Sequence, residues 1–233
     1  MTFDFRDKVA VVTGGSRGIG KQIALDLINY GATVYIVSRN VPEWELPRKM
    51  IHIESDFNED ITYLRLFLNQ NKIDILVNNA GINIIKPLKD VTEADYDKIQ
   101  NINLKVPYLL SRDANMNEGG KIVNIASIWS VKTKAWRSLY STTKNGIIGL
   151  TKSTSVELAP NVLVNSVSPG FTNTELTDQS LTEGEKDNLA SQVPMKRFAE
   201  TSEISNLVLF LCSDSNTYIT GQNIVIDGGF TNV

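Results

Sequence analysis

The most constraining feature of this chain is a series of short runs that are apolar at nearly every position, each set off from the next by turns or helical patterns. The runs are Val9–Thr13, Thr33–Val37, Met50–Ile53, Ile73–Val77, Lys121–Ile125, Val162–Val167 and Asn223–Ile226. A strand with one wet face alternates apolar and polar residues. A strand buried on both faces does not, and such strands belong to parallel sheets covered by helices on either side. Helical periodicity appears over Ile19–Tyr30, Ile61–Gln70, Glu93–Asn115, Ser138–Leu158 and Thr201–Ser213. Strand–helix alternation with right-handed crossovers predicts a doubly wound, parallel, seven-stranded α/β sheet with helices on both faces.

No linker, repeat or low-complexity tract interrupts residues 1–233, so a single domain is expected. Two stretches read as irregular. Asn40–Lys49 contains Pro42 and Pro47, which predicts a loop for the second crossover. Phe171–Arg197 is polar, with helix-start signals at Thr174 and Thr182, and reads as a mobile flap over a substrate.

Composition removes several classes of function. Lys and Arg number 23 against 26 Asp and Glu, a net charge of −3, whereas nucleic-acid binders show a basic excess. Cys212 is the only cysteine, which excludes a disulfide framework. The apolar run Leu207–Cys212 is far short of the roughly 18 residues a membrane span needs. Charges crowd residues 3–8, so no signal peptide and a cytoplasmic location are expected. His52, the only histidine, stands between Ile51 and Ile53 without metal-site spacing. It reads as structural, Cys212 reads as a buried small hydrophobe, and no metal is expected.

The first strand runs into Gly14-Gly-Ser-Arg-Gly-Ile-Gly20, with Ser16, Arg17, Gly18 and Ile19 inside the loop, and a helix follows. Glycines there allow a tight turn and close approach of the backbone to a pyrophosphate, and the helix N-terminus offers free N–H groups. The second strand ends Ser38-Arg39, with no acid before Glu43 to accept a ribose hydroxyl. Arg39 and Arg17 together favour a 2′-phosphate, hence NADP(H), with NAD(H) the alternative.

Tyr140-Ser-Thr-Thr-Lys144 puts a phenol and an ammonium on one helical face. A cation about 4 Å from the phenol would favour phenolate by up to roughly 4 kcal/mol at an effective dielectric near 20. Ser127 closes the Lys121–Ile125 strand run, at the sheet edge where ligands bind.

These motifs, in this order, resemble those of the short-chain dehydrogenase/reductase family along essentially the whole chain. The family's cofactor loop is matched by Thr13–Gly20, its adenine-side acid by Asp56 with Phe57 beside it, and its strand-four motif by Asn78-Asn79-Ala80-Gly81. Asn103 matches its active-site asparagine, and Ser127, Tyr140 and Lys144 match its catalytic residues. Pro169, Gly170, Thr172 and Thr174 match the segment that meets the nicotinamide, and Asp227-Gly-Gly229 matches the C-terminal signature. The resemblance implies a Rossmann-like fold and hydride transfer between a nicotinamide and a ketone or secondary alcohol. Tyr140 would give the proton, Ser127 would orient the oxygen, and Lys144 would lower the tyrosine pKa. Asn103 would hold a water leading to Lys144.

The chain departs from the family pattern in its proline-broken second crossover, a short Asn103–Ser127 stretch, and threonine at 172. Trp129 and Trp136 flank the loop beyond Ser127 and are candidates for the substrate mouth. Lys132, Lys134 and Arg137 make that loop basic, which would suit an anionic or acyl-carrier-bound substrate. The closest general likeness is to 3-oxoacyl-carrier-protein reductases and to sugar or polyol dehydrogenases. The alternatives to an NADP(H)-dependent carbonyl reductase are an NAD-dependent polyol dehydrogenase and a non-catalytic NADP(H)-binding sensor. The resemblance also implies a homodimer or homotetramer built through the helices at 93–115 and 138–158.

Overall fold

The computed structural model describes residues 3–175, 177 and 181–233. Seven strands form one wholly parallel sheet: β1 (Val9–Thr13), β2 (Thr33–Ser38), β3 (Met50–Glu54), β4 (Ile73–Asn78), β5 (Met116–Ile125), β6 (Val162–Pro169) and β7 (Asn223–Ile226). Their order is β3-β2-β1-β4-β5-β6-β7. The chain winds outward from β1 in one direction and then returns to β1's other side with β4. The carboxyl ends of β1 and β4 therefore open a crevice at the switch point, where doubly wound sheets bind ligands.

The helices are α1 (Gly18–Asn29), α2 (Thr62–Gln70), α3 (Glu93–Gln100), α4 (Val106–Asp113), α5 (Ser138–Leu158), α6 (Glu183–Gln192) and α7 (Thr201–Cys212). Successive strand side chains point to opposite faces. Accordingly Ala10 and Val12 join Ile23, Leu27, Ile204 and Val208 of α1 and α7 in one core. Val11 joins Leu64, Leu68, Val106 and Leu110 of α2 and α4 in the other. This two-sided burial is the reason the strands are apolar throughout.

The sequence reading of these elements holds, with three refinements. The helix expected over Glu93–Asn115 ends at Asp113 and is broken by a π-turn at Asn101–Lys105, where Val106 N–H donates to the Asn101 carbonyl. Pro107 lies at the start of α4 and has no N–H to offer the carbonyl four residues back. β5 starts at Met116, earlier than its apolar run, after a register shift against β4 between Ile73 and Ile75. Within the flap region, Thr182 caps α6 through a reciprocal bond pair with Glu185. Residues 176 and 178–180 of the flap lie outside the described residues. As read from its prolines, Asn40–Lys49 carries no helix.

Candidate active site

The glycine loop is held from behind. Thr13 Oγ1 accepts the backbone N–H groups of Asn79 and Ala80, each at 3.0 Å. Asn79 Nδ2 donates to the carbonyls of Thr13 at 2.9 Å and Gly14 at 3.3 Å. The Asn79 side chain thus ties the β1 turn to the end of β4 rather than facing the crevice. Gly20 has to be glycine, since a Cβ would stand 2.3 Å from the Gly14 carbonyl oxygen and 2.4 Å from Asn79 Nδ2. Gly18 adopts a left-handed φ of 55° and faces Thr174. Ile19 is absorbed into the core.

The N-terminus of α1 has neither a side-chain cap nor an acidic residue in its first turn. Its free N–H groups and positive dipole end are left for an anion. Beside it a groove of about 580 Å³ is lined by Arg17, Ser38, Arg39, Asp56, Phe57, Ala80 and Gly81 among others. A neighbouring hollow of about 470 Å³ shares Arg17, Ser38 and Arg39 and adds Ser16, Trp44, Glu43 and Glu175. This donor set fits a nicotinamide dinucleotide. Asp56 accepts the N–H of Asn58 at 2.8 Å, and that bond, with the field of Arg39, holds its carboxyl below the usual range. Ser38 Oγ donates to the Asn40 carbonyl and lies 2.9 Å from His52 Nε2, so the histidine is structural, at the rim of the hollow.

Trp44, which no sequence pattern singled out, pins the second crossover onto the glycine loop. Its indole N–H donates to the Ser16 carbonyl at 2.9 Å, and Lys21 lies 4.8 Å over its ring. Only Pro42 and Pro47, in place of a helical pattern, hinted that this segment could fold back.

Ser127, Tyr140 and Lys144 converge where β5 ends and α5 begins. Ser127 caps the short turn Ile128–Ser130, its Oγ accepting Trp129 N–H at 3.2 Å, and its side chain acts to lower the Tyr140 pKa. Lys144 is 3% exposed. Its Nζ donates to the Ile125 carbonyl at 2.7 Å and stands 5.6 Å from the Tyr140 ring centroid.

Burial dominates the proton chemistry of both groups. Burial raises the Tyr140 pKa, against smaller lowering effects from Ser127 and Arg137. Burial also lowers Lys144 to about 8. A desolvated ammonium with no carboxylate partner is itself disfavoured, and for the phenol burial outweighs the effects that lower its pKa. The phenol is kept protonated at neutral pH, the state of a proton donor.

Asn103 lies in the π-turn, fully buried. Its amide is spent on the backbone of Ile82, accepting the N–H and donating to the carbonyl, each at 2.8 Å, with a further bond to Thr143 Oγ1 at 3.2 Å. Its side chain fixes the loop after β4. Beneath it runs a buried polar chain that sequence reading missed: Asn78 Nδ2 reaches Ser111 and Asn124, and Asn124 reaches Thr151. Polar residues inside otherwise apolar strands were its signal.

Pro169 and Gly170 pack against β7 and Asp227. Thr172 Oγ1 donates to the Gly170 carbonyl, and Thr174 Oγ1 accepts Thr177 N–H. These four therefore shape the segment beside the glycine loop. Trp129 is buried against Phe171 and Phe230 and lines a 290 Å³ pocket, whereas Trp136 is 61% exposed and touches the crevice loop only through its backbone carbonyl, which accepts Lys86 N–H. Cys212 is buried as expected, its thiol pushed up to about 12. Among the described residues no acid, cysteine or histidine cluster suits a metal, and no helix is long and apolar enough to cross a membrane.

Comparison with known proteins agrees with this geometry. A family model described as enoyl-(acyl carrier protein) reductase matches residues 14–231. The 3-oxoacyl-[acyl-carrier-protein] reductase FabG of Aquifex aeolicus is 37% identical over 98% of this chain and 99% of its own length. A Brucella melitensis short-chain dehydrogenase/reductase of the glucose/ribitol dehydrogenase type superposes with a TM-score of 0.89 at 30% identity, covering 99% of both chains. An Agrobacterium tumefaciens protein assigned as a 2-deoxy-D-gluconate 3-dehydrogenase, with bound NADP, gives 0.91 at 26% identity over 100% and 99% of the two chains. The chain belongs to the short-chain dehydrogenase/reductase family and is an oxidoreductase acting on CH–OH groups.

Proposed function

We propose that this protein reduces a ketone with NADPH, and that Ser127, Tyr140 and Lys144 carry the proton side of that reaction. The supporting observation is the convergence of Ser127 and Tyr140 at the end of β5 and the start of α5, with the buried Lys144 Nζ 5.6 Å from the tyrosine ring centroid. When bound, the coenzyme supplies the hydride. The residues do the rest. Ser127 holds the carbonyl oxygen, Tyr140 Oη gives that oxygen a proton, and Lys144 offsets the charge left on the phenol. Asn103 and Asn79 act one step back, fixing the loops that carry the reactants.

The names of relatives point to 3-oxoacyl groups on a carrier protein as substrate. The basic loop offers less to a carrier than its sequence promised. Lys132 is bound to the Val233 carbonyl and lies over the Phe230 ring, and Arg137 lies over Trp129. A cytoplasmic homodimer or homotetramer fits the α4–α5 face, where Leu104, Tyr108, Gly146 and Leu150 line a groove of about 640 Å³; a monomer by light scattering removes that part of the reading.

The NADP(H) preference rests on Arg17 and Arg39 flanking one hollow, opposed by Glu43 and Glu175 in its wall. Coenzyme titration by fluorescence tests it. A charge-assisted bond to phosphate is worth about 1.5–3 kcal/mol, so Arg39→Asp is expected to raise the Kd for NADPH about 10–100-fold while sparing NADH. Equal shifts for both coenzymes, or tighter binding of NADH by the unaltered protein, would reject the preference while leaving the carbonyl chemistry standing.

A further inference from the structure

Arg6, Arg65, Arg112 and Arg197 each pair with a carboxylate, and Arg17 and Arg39 border the coenzyme hollow. Arg137 is placed differently. It is the N-cap of α5, three residues ahead of Tyr140. Its guanidinium carbon lies 5.3 Å over the ring of Trp129, two residues past Ser127. The side chain is half-buried, and among the described residues no carboxylate or carbonyl accepts its N–H groups. Desolvation lowers its pKa, and its field reaches the Tyr140 phenol.

A partly desolvated guanidinium costs free energy unless something answers its charge and its five donors. A ring face answers part of the charge and none of the N–H groups. Both members of this stack adjoin the hydroxyls that would hold a substrate carbonyl, Trp129 two residues after Ser127 and Arg137 three residues before Tyr140. A carboxylate on that substrate would complete the fork with two parallel bonds.

We propose that Arg137 is a specificity-determining residue that reads a carboxylate close to the reacting carbonyl, so that the substrates are small keto acids rather than neutral ketones or thioesters. This deepens the carbonyl-reductase reading and rests on it. During reduction the hydride goes from the coenzyme to the ketone carbon and the proton goes from Tyr140 Oη to the oxygen. The carboxylate only positions.

The test is steady-state reduction by the NADPH-loaded enzyme of 3-oxobutanoate and of its methyl ester, which differ in that charge. The unaltered enzyme is expected to favour the acid about 10–100-fold in kcat/KM, through KM. Arg137→Met should bring that ratio near one, and Arg137→Lys should keep part of it. The ratio cancels any change in Tyr140 reactivity common to both substrates. An unaltered enzyme that treats both alike or favours the ester overturns the assignment, as does an unchanged ratio in folded Arg137→Met, and either result leaves ketone reduction intact. Reduction of neither compound, nor of any other ketone, overturns the carbonyl-reductase reading and this inference together.

Discussion

Tyr140→Phe is expected to lower kcat for ketone reduction by about 10²–10⁴, the usual worth of a positioned acid, while the Kd for NADPH changes by less than about threefold. The substitution removes one oxygen and keeps the ring that packs beside Trp129 and Phe171. The loss should therefore fall on the chemical step and leave the fold and the coenzyme crevice as they are. Turnover within tenfold of the unaltered enzyme would remove Tyr140 from the proton path, and a parallel collapse of NADPH binding would recast it as a binding residue. A coenzyme-binding sensor, by contrast, would keep its biological effect in this variant.

Lys144→Met should act on rate and on stability with distinct signatures. The ammonium 5.6 Å from the phenol ring is worth about 3 kcal/mol to a developing phenolate at an effective dielectric near 20. Its loss should cost about 10²-fold in kcat at neutral pH. The stability effect follows from the direction of the pKa shift. The folded value of about 8 lies below the ordinary 10.5, so the unfolded chain holds this proton more tightly. Below pH 8 both states are charged and the full burial penalty is present; between about 8 and 10.5 the folded lysine gives up its proton first, and the penalty fades as pH rises. It amounts to about 3 kcal/mol.

Lys121 shifts in the same direction and Cys212 in the opposite one. The informative quantity is therefore the unfolding free energy of the unaltered protein minus that of Lys144→Met, from urea midpoints at pH 7 to 10. That difference should climb by up to about 3 kcal/mol. A flat difference would mean that the lysine is not the desolvated group the structure shows.

The fold was legible because burial on two faces leaves a direct trace. Ala10 and Val12 serve one core and Val11 the other, so the strand has no polar position to spare. The tyrosine–lysine spacing was equally plain, since one helical turn fixes where both side chains lie.

What escaped was set by tertiary surroundings. The sign of the Tyr140 shift depends on how much protein covers the phenol, which a helical wheel does not contain. Trp44 finds the Ser16 carbonyl across 28 residues of sequence with no local signature. The π-turn at Asn103 was foreshadowed by Pro107, but the apolar periodicity on either side read as one continuous helix. Asn103 and Asn79 stood out as site residues, yet their amides bond neighbouring backbone, a role that no local sequence pattern encodes.

The central claim is hydride delivery to a carbonyl carbon held at Ser127 and Tyr140. Its most direct measurement is a single turnover of a ketone with NADPH deuterated at both C4 positions, followed by mass spectrometry of the product. The account predicts an alcohol with one deuterium on the carbinol carbon, formed by the unaltered protein and nearly absent with Tyr140→Phe. An alcohol without deuterium, or equal yields from the two proteins, would contradict it.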